Sequence, residues 1–164
     1  MILEQPEIMP EAMEKMDLTG AATLDLGSGS GILSITALRL GAKKAVGVDI
    51  DPKAEDIARE NAAYNGFAAP EFTALTGNVT EDKALMETLS KDHYDVVLVN
   101  IVADVIIALS GVLPQFMDPN STLICSGILD TRLNDVLAAL QAAGLTVTAT
   151  YAKEDWRCVT AKRR

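Results

Sequence analysis

Three glycines at alternate positions follow an apolar run near the start of the chain and form the strongest candidate for a binding loop. The segment from Leu24 to Gly31 reads LDLGSGSG. Glycines let a backbone turn sharply and approach a ligand closely, and a helix that begins behind them presents free N–H groups and its positive dipole end. The candidate ligand contacts in this segment are Asp25, Gly27, Ser28, Gly29 and Gly31.

Asp25 decides which ligand the loop favours. Its negative charge lies directly ahead of the glycines, where it would repel a pyrophosphate and attract a cationic ammonium. The dinucleotide fingerprint also requires a glycine three residues after the second one, and Ile32 occupies that position. The pattern therefore favours a ligand that carries both an ammonium and a carboxylate group, as an amino acid does.

The ends of the next two apolar runs carry four residues that could hold a nucleoside. Asp49 closes the second run, where an acidic side chain commonly accepts hydrogen bonds from two ribose hydroxyls, and Ile50 could cover an adenine face. Asn78 and Val79 follow the third run, where a backbone amide could meet the adenine amine. Asp49 could instead cap the following helix, although Asp51 is placed for that role. Asn78 could be a turn residue.

Asn100 ends the most strongly apolar run of the chain, Tyr94 to Asn100. Its side chain could accept a hydrogen bond from an attacking amine, and we count it as both the catalytic and a cofactor-binding candidate. The alternative interpretation is a polar residue that terminates a strand. Asp104 could remove a proton from the amine, or it could be an exposed acid in the first turn of a helix.

Alternating β-rich and helical runs predict the elements that position these residues. Expected strands cover 22–26, 45–50, 71–76, 94–100, 122–125, 145–151 and 156–162, and expected helices cover 32–40, 52–65, 81–89, 101–113 and 133–140. Five βα units followed by a helix-free hairpin predict an α/β fold with a mostly parallel seven-stranded sheet. We expect the strand order 3-2-1-4-5-7-6, with the last strand reversed and helices on both faces.

Composition excludes several classes of function. A net charge of −9 argues against direct nucleic-acid binding, since phosphate backbones attract basic surfaces. No apolar run approaches the length of a membrane span. Cys125 and Cys158 are expected to be reduced and buried, His93 to be exposed and without a chemical role, and no metal site is predicted. We therefore expect a cytoplasmic protein; its oligomeric state stays open.

The combined pattern resembles the class I S-adenosylmethionine-dependent methyltransferases, and implies their Rossmann-like fold and S-adenosyl-L-methionine as cofactor. Asn100 to Val105, Ser126 to Leu129 and Trp156 to Val159 further resemble the ribosomal protein L11 methyltransferase family. That resemblance covers the chain from about Ala12 onward. It implies methylation of protein amino groups, a ribosomal protein as partner, and a role for Asn100 in holding the acceptor nitrogen.

Two departures from that family leave the acceptor open. A chain of 164 residues has no room for the family's N-terminal substrate domain, so we expect one methyltransferase domain over 1–164, with 1–20 as a helical lead-in. The family's loop with a His-Pro pair is reduced here to Gln5-Pro6. A methyltransferase for a small molecule or another macromolecule, and a non-catalytic S-adenosylmethionine-binding module, are the alternatives.

Overall fold

A computed structural model describes residues 8–164 and shows one seven-stranded sheet in the order β3-β2-β1-β4-β5-β7-β6. The strands are β1 (Ala22–Leu26), β2 (Lys44–Asp49), β3 (Phe72–Thr76), β4 (Val96–Asn100), β5 (Thr122–Leu129), β6 (Leu145–Lys153) and β7 (Trp156–Arg163). β1 to β5 pair in parallel, and β7 is antiparallel to both of its neighbours. The predicted strand order and reversed last strand are confirmed.

Helices cover both faces of the sheet, as predicted. They are α1 (Ile8–Glu14), α2 (Ile32–Arg39), α3 (Pro52–Tyr64), α4 (Lys83–Ser90), α5 (Ala103–Leu109) and α6 (Leu133–Ala142), with 3₁₀ helices at Leu113–Phe116 and Asp130–Arg132. One apolar cluster joins the sheet to α1, α2 and α3, and the other joins it to α4, α5 and α6. We call these two sides the α1–α3 face and the α4–α6 face.

Most element boundaries lie within two residues of the sequence-based expectation, and two differ from it by four residues. The predicted helix over 101–113 ends at Leu109, because Gly111 and Pro114 disfavour its continuation. The fifth strand continues to Leu129 because its ladder with β7 resumes beyond a bulge, where Ile128 pairs with Arg157. Both differences depend on backbone geometry that apolar spacing does not encode.

The start of α3 follows from its first two residues. Asp51 Oδ1 accepts a hydrogen bond from the Lys53 amide at 2.9 Å, and Pro52 occupies the first turn. Of the predicted lead-in over 1–20, α1 is the described helix, and its Ala12 and Met13 are buried against the sheet. Gln5-Pro6 lies outside the described residues. No helix within residues 8–164 is long and apolar enough to span a membrane.

Candidate functional site

A cavity of about 500 Å³ opens at the carboxyl edge of the sheet on the α4–α6 face. That volume is within the usual range for small-molecule sites, and in sheets of this type ligands bind at this edge. Its lining consists of strand-end and α5 residues: Leu26, Gly27, Val48, Asp49, Ile50, Gly77, Asn78, Val79, Thr80, Ile101, Asp104, Val105, Ala108 and Leu109. The structure thus brings together the predicted nucleoside-binding residues.

The other predicted contacts lie outside this lining. They are Asp25, Ser28, Gly29, Gly31 and Asn100. The site therefore has two parts, the cavity and a second region around Asp25 and Asn100 on the α1–α3 face.

The glycine loop follows a path that its own neighbours restrict. Gly27 and Gly31 have φ of +79° and +83°, and a Cβ at these positions would lie 2.9 Å from Ile101 Cδ1 and 3.1 Å from Ala58 Cβ. The amides of Gly27 and Ser28 both donate to the Val48 carbonyl, at 2.8 and 3.0 Å. Contacts within the protein therefore already require glycine at both positions.

Gly29 differs because a Cβ there would meet no atom within 4 Å. Its amide donates to Asp49 Oδ2 at 2.8 Å, and Asp49 Oδ1 accepts from the Asp51 amide at 2.9 Å. Asp49 thus ties the loop to the end of β2, a role that the sequence did not predict. Each carboxylate oxygen can accept a second hydrogen bond, so both retain acceptor capacity toward the cavity.

The remaining nucleoside candidates have different environments. Ile50 is 63% exposed, although it lines the cavity. Asn78 Oδ1 accepts hydrogen bonds from the amide and hydroxyl of Thr80, at 3.0 and 2.6 Å. Asn78 therefore stabilises a turn, as the alternative interpretation proposed, while the segment through Val79 still borders the cavity.

Asp25 is 1% exposed and faces α2. Its Oδ2 accepts a hydrogen bond from the Ser34 hydroxyl at 3.0 Å, and its Oδ1 is enclosed without a partner. Burial raises the pKa of Asp25 to about 7, against the opposing hydrogen bond from Ser34. The carboxyl is thus poised between its neutral and ionised forms near neutral pH, and a cation beside it would favour ionisation.

Asn100 and Ser126 hold two more enclosed polar atoms. Asn100 is partly exposed, but its Oδ1 is enclosed and has no hydrogen-bond partner. Ser126, the register partner of Asn100 on β5, is fully buried, and its Oγ is also without a hydrogen bond. Ser126 was not among the predicted site residues. The feature that could have identified it is a hydroxyl inside the apolar run from Leu123 to Ile128.

Asp104 lines the cavity but is committed to an ion pair. Its Oδ1 accepts from Arg132 Nη2 at 2.7 Å, and its side chain is 78% exposed. Arg132 also donates through Nε to Asp135 at 3.0 Å. The ion pair with Arg132 was not predicted from the sequence, because Arg132 lies 28 residues from Asp104 along the chain.

The cysteines and the histidine lie apart from the cavity lining. Cys125 and Cys158 are buried free thiols, and burial raises the pKa of each. His93 is exposed, with Nε2 2.8 Å from Asp95 Oδ1 and Nδ1 2.6 Å from Asp118 Oδ2. Within the described residues, no group of three or more His, Cys, Asp or Glu side chains could hold a metal ion.

Sequence comparison matches residues 8–164 to the family model of ribosomal protein L11 methyltransferase (PrmA). A ribosomal protein L11 methyltransferase from Agathobacter rectalis is 40% identical over 140 residues, which are 85% of this chain and 43% of that protein. One from Lachnospira eligens is 35% identical over 162 residues, or 98% of this chain and 51% of that protein. The chain spans about half the length of the curated relatives it matches.

Solved structures share the fold. The ribosomal protein L11 methylase from Lactobacillus delbrueckii subsp. bulgaricus has a TM-score of 0.83 at 25% identity, over 95% of this chain and 77% of that one. The magnesium protoporphyrin IX methyltransferase (ChlM) from Synechocystis PCC 6803, solved with bound SAM, has a TM-score of 0.74 at 21% identity, over 96% and 77% of the two chains. The latter similarity supports the Rossmann-like fold alone.

Proposed function

Because this chain belongs to the ribosomal protein L11 methyltransferase family, we propose that it binds S-adenosyl-L-methionine and transfers the methyl group to an amino group of a ribosomal protein. One observation of the site carries the cofactor assignment. An enclosed carboxylate oxygen of Asp25 has no partner and lies one residue before the lining of a cavity that also holds Asp49. An ammonium and a ribose are the groups that these two acids can bind.

The described residues fit the nucleoside half of the cofactor. Asp49 retains acceptor capacity for the two ribose hydroxyls, and Ile50, Val79 and Val105 offer apolar surface for an adenine ring. The open space beside Gly29 leaves room for the ligand to approach the loop. The amides of Gly27 and Gly29 are already hydrogen-bonded to Val48 and Asp49. The loop should therefore lose little conformational freedom when the cofactor binds.

The amino-acid half fits the α1–α3 face. Asp25 would bind the ammonium, and the amide groups at the start of α2 would favour the carboxylate. Gly27, Ser28, Gly29 and Gly31 would shape the passage between the two halves. A cation at Asp25 would supply the partner that its Oδ1 lacks.

The cofactor supplies an already activated methyl group on a sulfonium, so the protein needs to align the acceptor and exclude water. Asn100, at the end of the central strand β4, is the residue we assign to the acceptor amine. We assign no base to Asp104, because its exposed carboxylate is paired with Arg132. The protonated acceptor amine can lose its proton to solvent before it is enclosed, and it then attacks as the neutral amine.

Ribosomal protein L11 is the proposed acceptor, because the relatives are named for it, and a cytoplasmic location follows from that partner. We further propose that residues 1–164 work as one methyltransferase domain with 1–20 as its lead-in. The net charge of −9 favours a basic protein surface as the partner over direct contact with nucleic acid.

Calorimetry and a transfer assay test this function. We expect one S-adenosylmethionine or S-adenosylhomocysteine molecule per chain, no comparable binding of NADH, and transfer of labelled methyl groups to ribosomal protein L11 or its lysine peptides. Binding of NADH in place of S-adenosylmethionine would overturn the cofactor. Cofactor binding without transfer to any amine would leave a binding module, and transfer only to small molecules would overturn the ribosomal acceptor.

A further inference from the structure

Two enclosed polar atoms without hydrogen bonds occur on neighbouring strands at the expected methyl-transfer position. Asn100 Oδ1 and Ser126 Oγ are both buried, and their residues are register partners in the parallel ladder of β4 and β5. The ladder is intact there, since the Ile101 amide donates to the Ser126 carbonyl at 3.2 Å. Paired residues of parallel strands direct their side chains to the same face of a sheet.

That face is the α1–α3 face. Leu98 and Ile124, two residues earlier on each strand, belong to the apolar cluster beneath α1 and α2. Because side chains alternate along a strand, Asn100 and Ser126 share this side with Asp25, whose Oδ2 contacts Ser34 of α2. The three residues with unpartnered oxygens near the loop are therefore on one side of the sheet.

A bulge in β5 coincides with Ser126. The register between β5 and β7 shifts between Cys125 and Ile128, and Gly127 has a φ of +82°. Bulges redirect a side chain and are common beside active sites. The strand is thus distorted at the residue whose hydroxyl lacks a hydrogen bond.

A purely structural role does not account for this hydroxyl. Enclosing a hydroxyl without a hydrogen bond is unfavourable, and most buried polar groups have partners. Burial raises the pKa of the Cys158 thiol, and a weaker side-chain interaction with Ser126 lowers it. A thiol is a poor hydrogen-bonding group, and no oxygen or nitrogen atom of the described residues is a hydrogen-bond partner of Ser126 Oγ. By contrast, Ser121, which precedes β5 at the other end of that strand, is equally buried and donates to the Tyr94 carbonyl at 2.6 Å.

We propose that Ser126 is a positioning residue that sets the orientation of the Asn100 carboxamide for methyl transfer. The inference rests on the proposed function. A hydroxyl can donate or accept, so it can serve either end of the carboxamide. When the carboxamide turns so that Nδ2 comes within hydrogen-bond reach of Ser126 Oγ, Nδ2 donates to it, and Oδ1 faces the acceptor.

In that orientation Asn100 Oδ1 accepts one N–H of the neutral acceptor amine and directs its lone pair toward the methyl carbon. The new N–C bond forms as the C–S bond breaks, and the electron pair of that bond stays on sulfur. The resulting ammonium then releases a proton to solvent. Ser126 takes no part in bond making; it restricts Asn100 to the orientation in which the oxygen is available.

Kinetics of Ser126→Ala, with Ser121→Ala as the matched control, give the first test. We expect Ser126→Ala to lower kcat roughly tenfold, the effect of one misoriented hydrogen bond, with cofactor Kd unchanged and Tm unchanged or higher. Ser121→Ala removes a satisfied hydrogen bond, so it should lower Tm and leave kcat unchanged. Unchanged kcat in Ser126→Ala, with or without a lower Tm, would overturn the proposal.

The side-chain amide signal of Asn100 gives a second test that does not depend on turnover. In ¹⁵N-asparagine-labelled protein, with Asn100→Asp for assignment, Ser126→Ala should change the Nδ2 proton shifts and speed their solvent exchange, whereas Ser121→Ala should not. Unaltered shifts and exchange would overturn the proposal. If the unsubstituted protein transfers no methyl group, the proposed function fails, and this signal still decides whether Ser126 orients Asn100.

Discussion

At the carboxyl edge of the sheet, the two faces differ in whether their polar side chains are hydrogen-bonded within the protein. On the α4–α6 face, a cavity of about 500 Å³ is already formed, and the Asp49 carboxylate beside it is hydrogen-bonded to the loop. On the α1–α3 face, oxygens of Asp25, Asn100 and Ser126 are enclosed without partners. Asp49 is thus hydrogen-bonded within the protein, whereas Asp25, Asn100 and Ser126 each have an enclosed oxygen that lacks a hydrogen-bond partner.

We expect this difference to separate holding the nucleoside of the cofactor from contacting its ammonium group and the acceptor amine. A preformed apolar cavity binds with little reorganisation, so its residues should affect affinity. Unpartnered polar groups are unfavourable in the free protein, and they gain hydrogen bonds only when a ligand or the transition state supplies the missing group. Their residues should affect turnover or the pH dependence of binding.

The largest expected effect is on turnover at Asn100. Asn100→Ala should lower kcat by about 10²-fold, because it removes a hydrogen bond that strengthens in the transition state, and should leave cofactor affinity within a few-fold. Single-turnover transfer to a lysine peptide at high concentration measures the first, and calorimetry the second. Full turnover in the variant would limit the functional site to the cavity side.

On the cavity side, Asp49→Ala should weaken cofactor binding at least tenfold, since two hydrogen bonds to a charged acceptor contribute about 1.5–3 kcal/mol each. Asp51→Ala is the control: it removes the cap of α3 and should cost about 1 kcal/mol of stability without changing affinity. Calorimetric titration compares the two variants. Equal affinity in Asp49→Ala and the unsubstituted protein would mean that Asp49 only anchors the loop through Gly29.

The sequence was sufficient for the fold because its signals are local. Buried strands that end in glycine or polar residues, and the Asp51-Pro52 helix start, set the element order, and the helix-free run after Gly144 sets the hairpin. The extension of β5 to Leu129 was not predictable in this way, since it depends on a ladder with the distant strand β7.

For the candidate site residues, the sequence predicted where they lie in the fold but not whether their polar atoms are hydrogen-bonded, enclosed or exposed. Strand ends located Asp25, Asp49 and Asn100, because residue type and spacing determine which side chains reach the carboxyl edge. Whether an oxygen there is bonded, enclosed or exposed depends on several elements packing together. The unpartnered oxygens of Asp25 and Asn100 and the Arg132–Asp104 pair were therefore beyond sequence reasoning.

Asp25 should give the cofactor a pH-dependent affinity. With its pKa raised to about 7, the carboxyl is mostly neutral at pH 6 and mostly ionised at pH 8, so affinity for a cationic ligand should rise by about tenfold between them. Titrations at both pH values measure this, and Asp25→Asn should bind weakly and equally at both. A pH-independent affinity in the unsubstituted protein would exclude ionised Asp25 as the ammonium partner.

The same residue should destabilise the free protein. Its folded pKa of about 7 exceeds an unfolded value of roughly 3.9, so the unfolded chain releases this proton first as pH rises, and stability declines between those values. Asp25→Asn should therefore be more stable than the unsubstituted protein at pH 8, and this advantage should shrink toward pH 4. Denaturant melts at both pH values test whether an unpartnered oxygen on this face lowers stability.

The smallest expected effect is at His93, whose contacts are complete. Hydrogen bonding to Asp95, with the nearby charge of Asp118, raises the pKa of His93, so the stabilisation is fully present below about pH 6.5 and is lost as pH rises through the raised pKa. Because the side chains are exposed, His93→Gln should lower Tm by only about 1–3 °C at pH 5.5 and by less at pH 8.5.

Cofactor affinity and kcat should not change in His93→Gln, because His93 precedes β4 at the opposite edge of the sheet from the cavity. Thermal melts at both pH values measure the change in Tm, and calorimetry on the same samples measures cofactor affinity. A Tm loss that grows with pH would show that the imidazole is bound in its neutral form. A change in cofactor affinity would contradict the distinction between hydrogen-bonded side chains that stabilise the fold and unpartnered ones that act at the site.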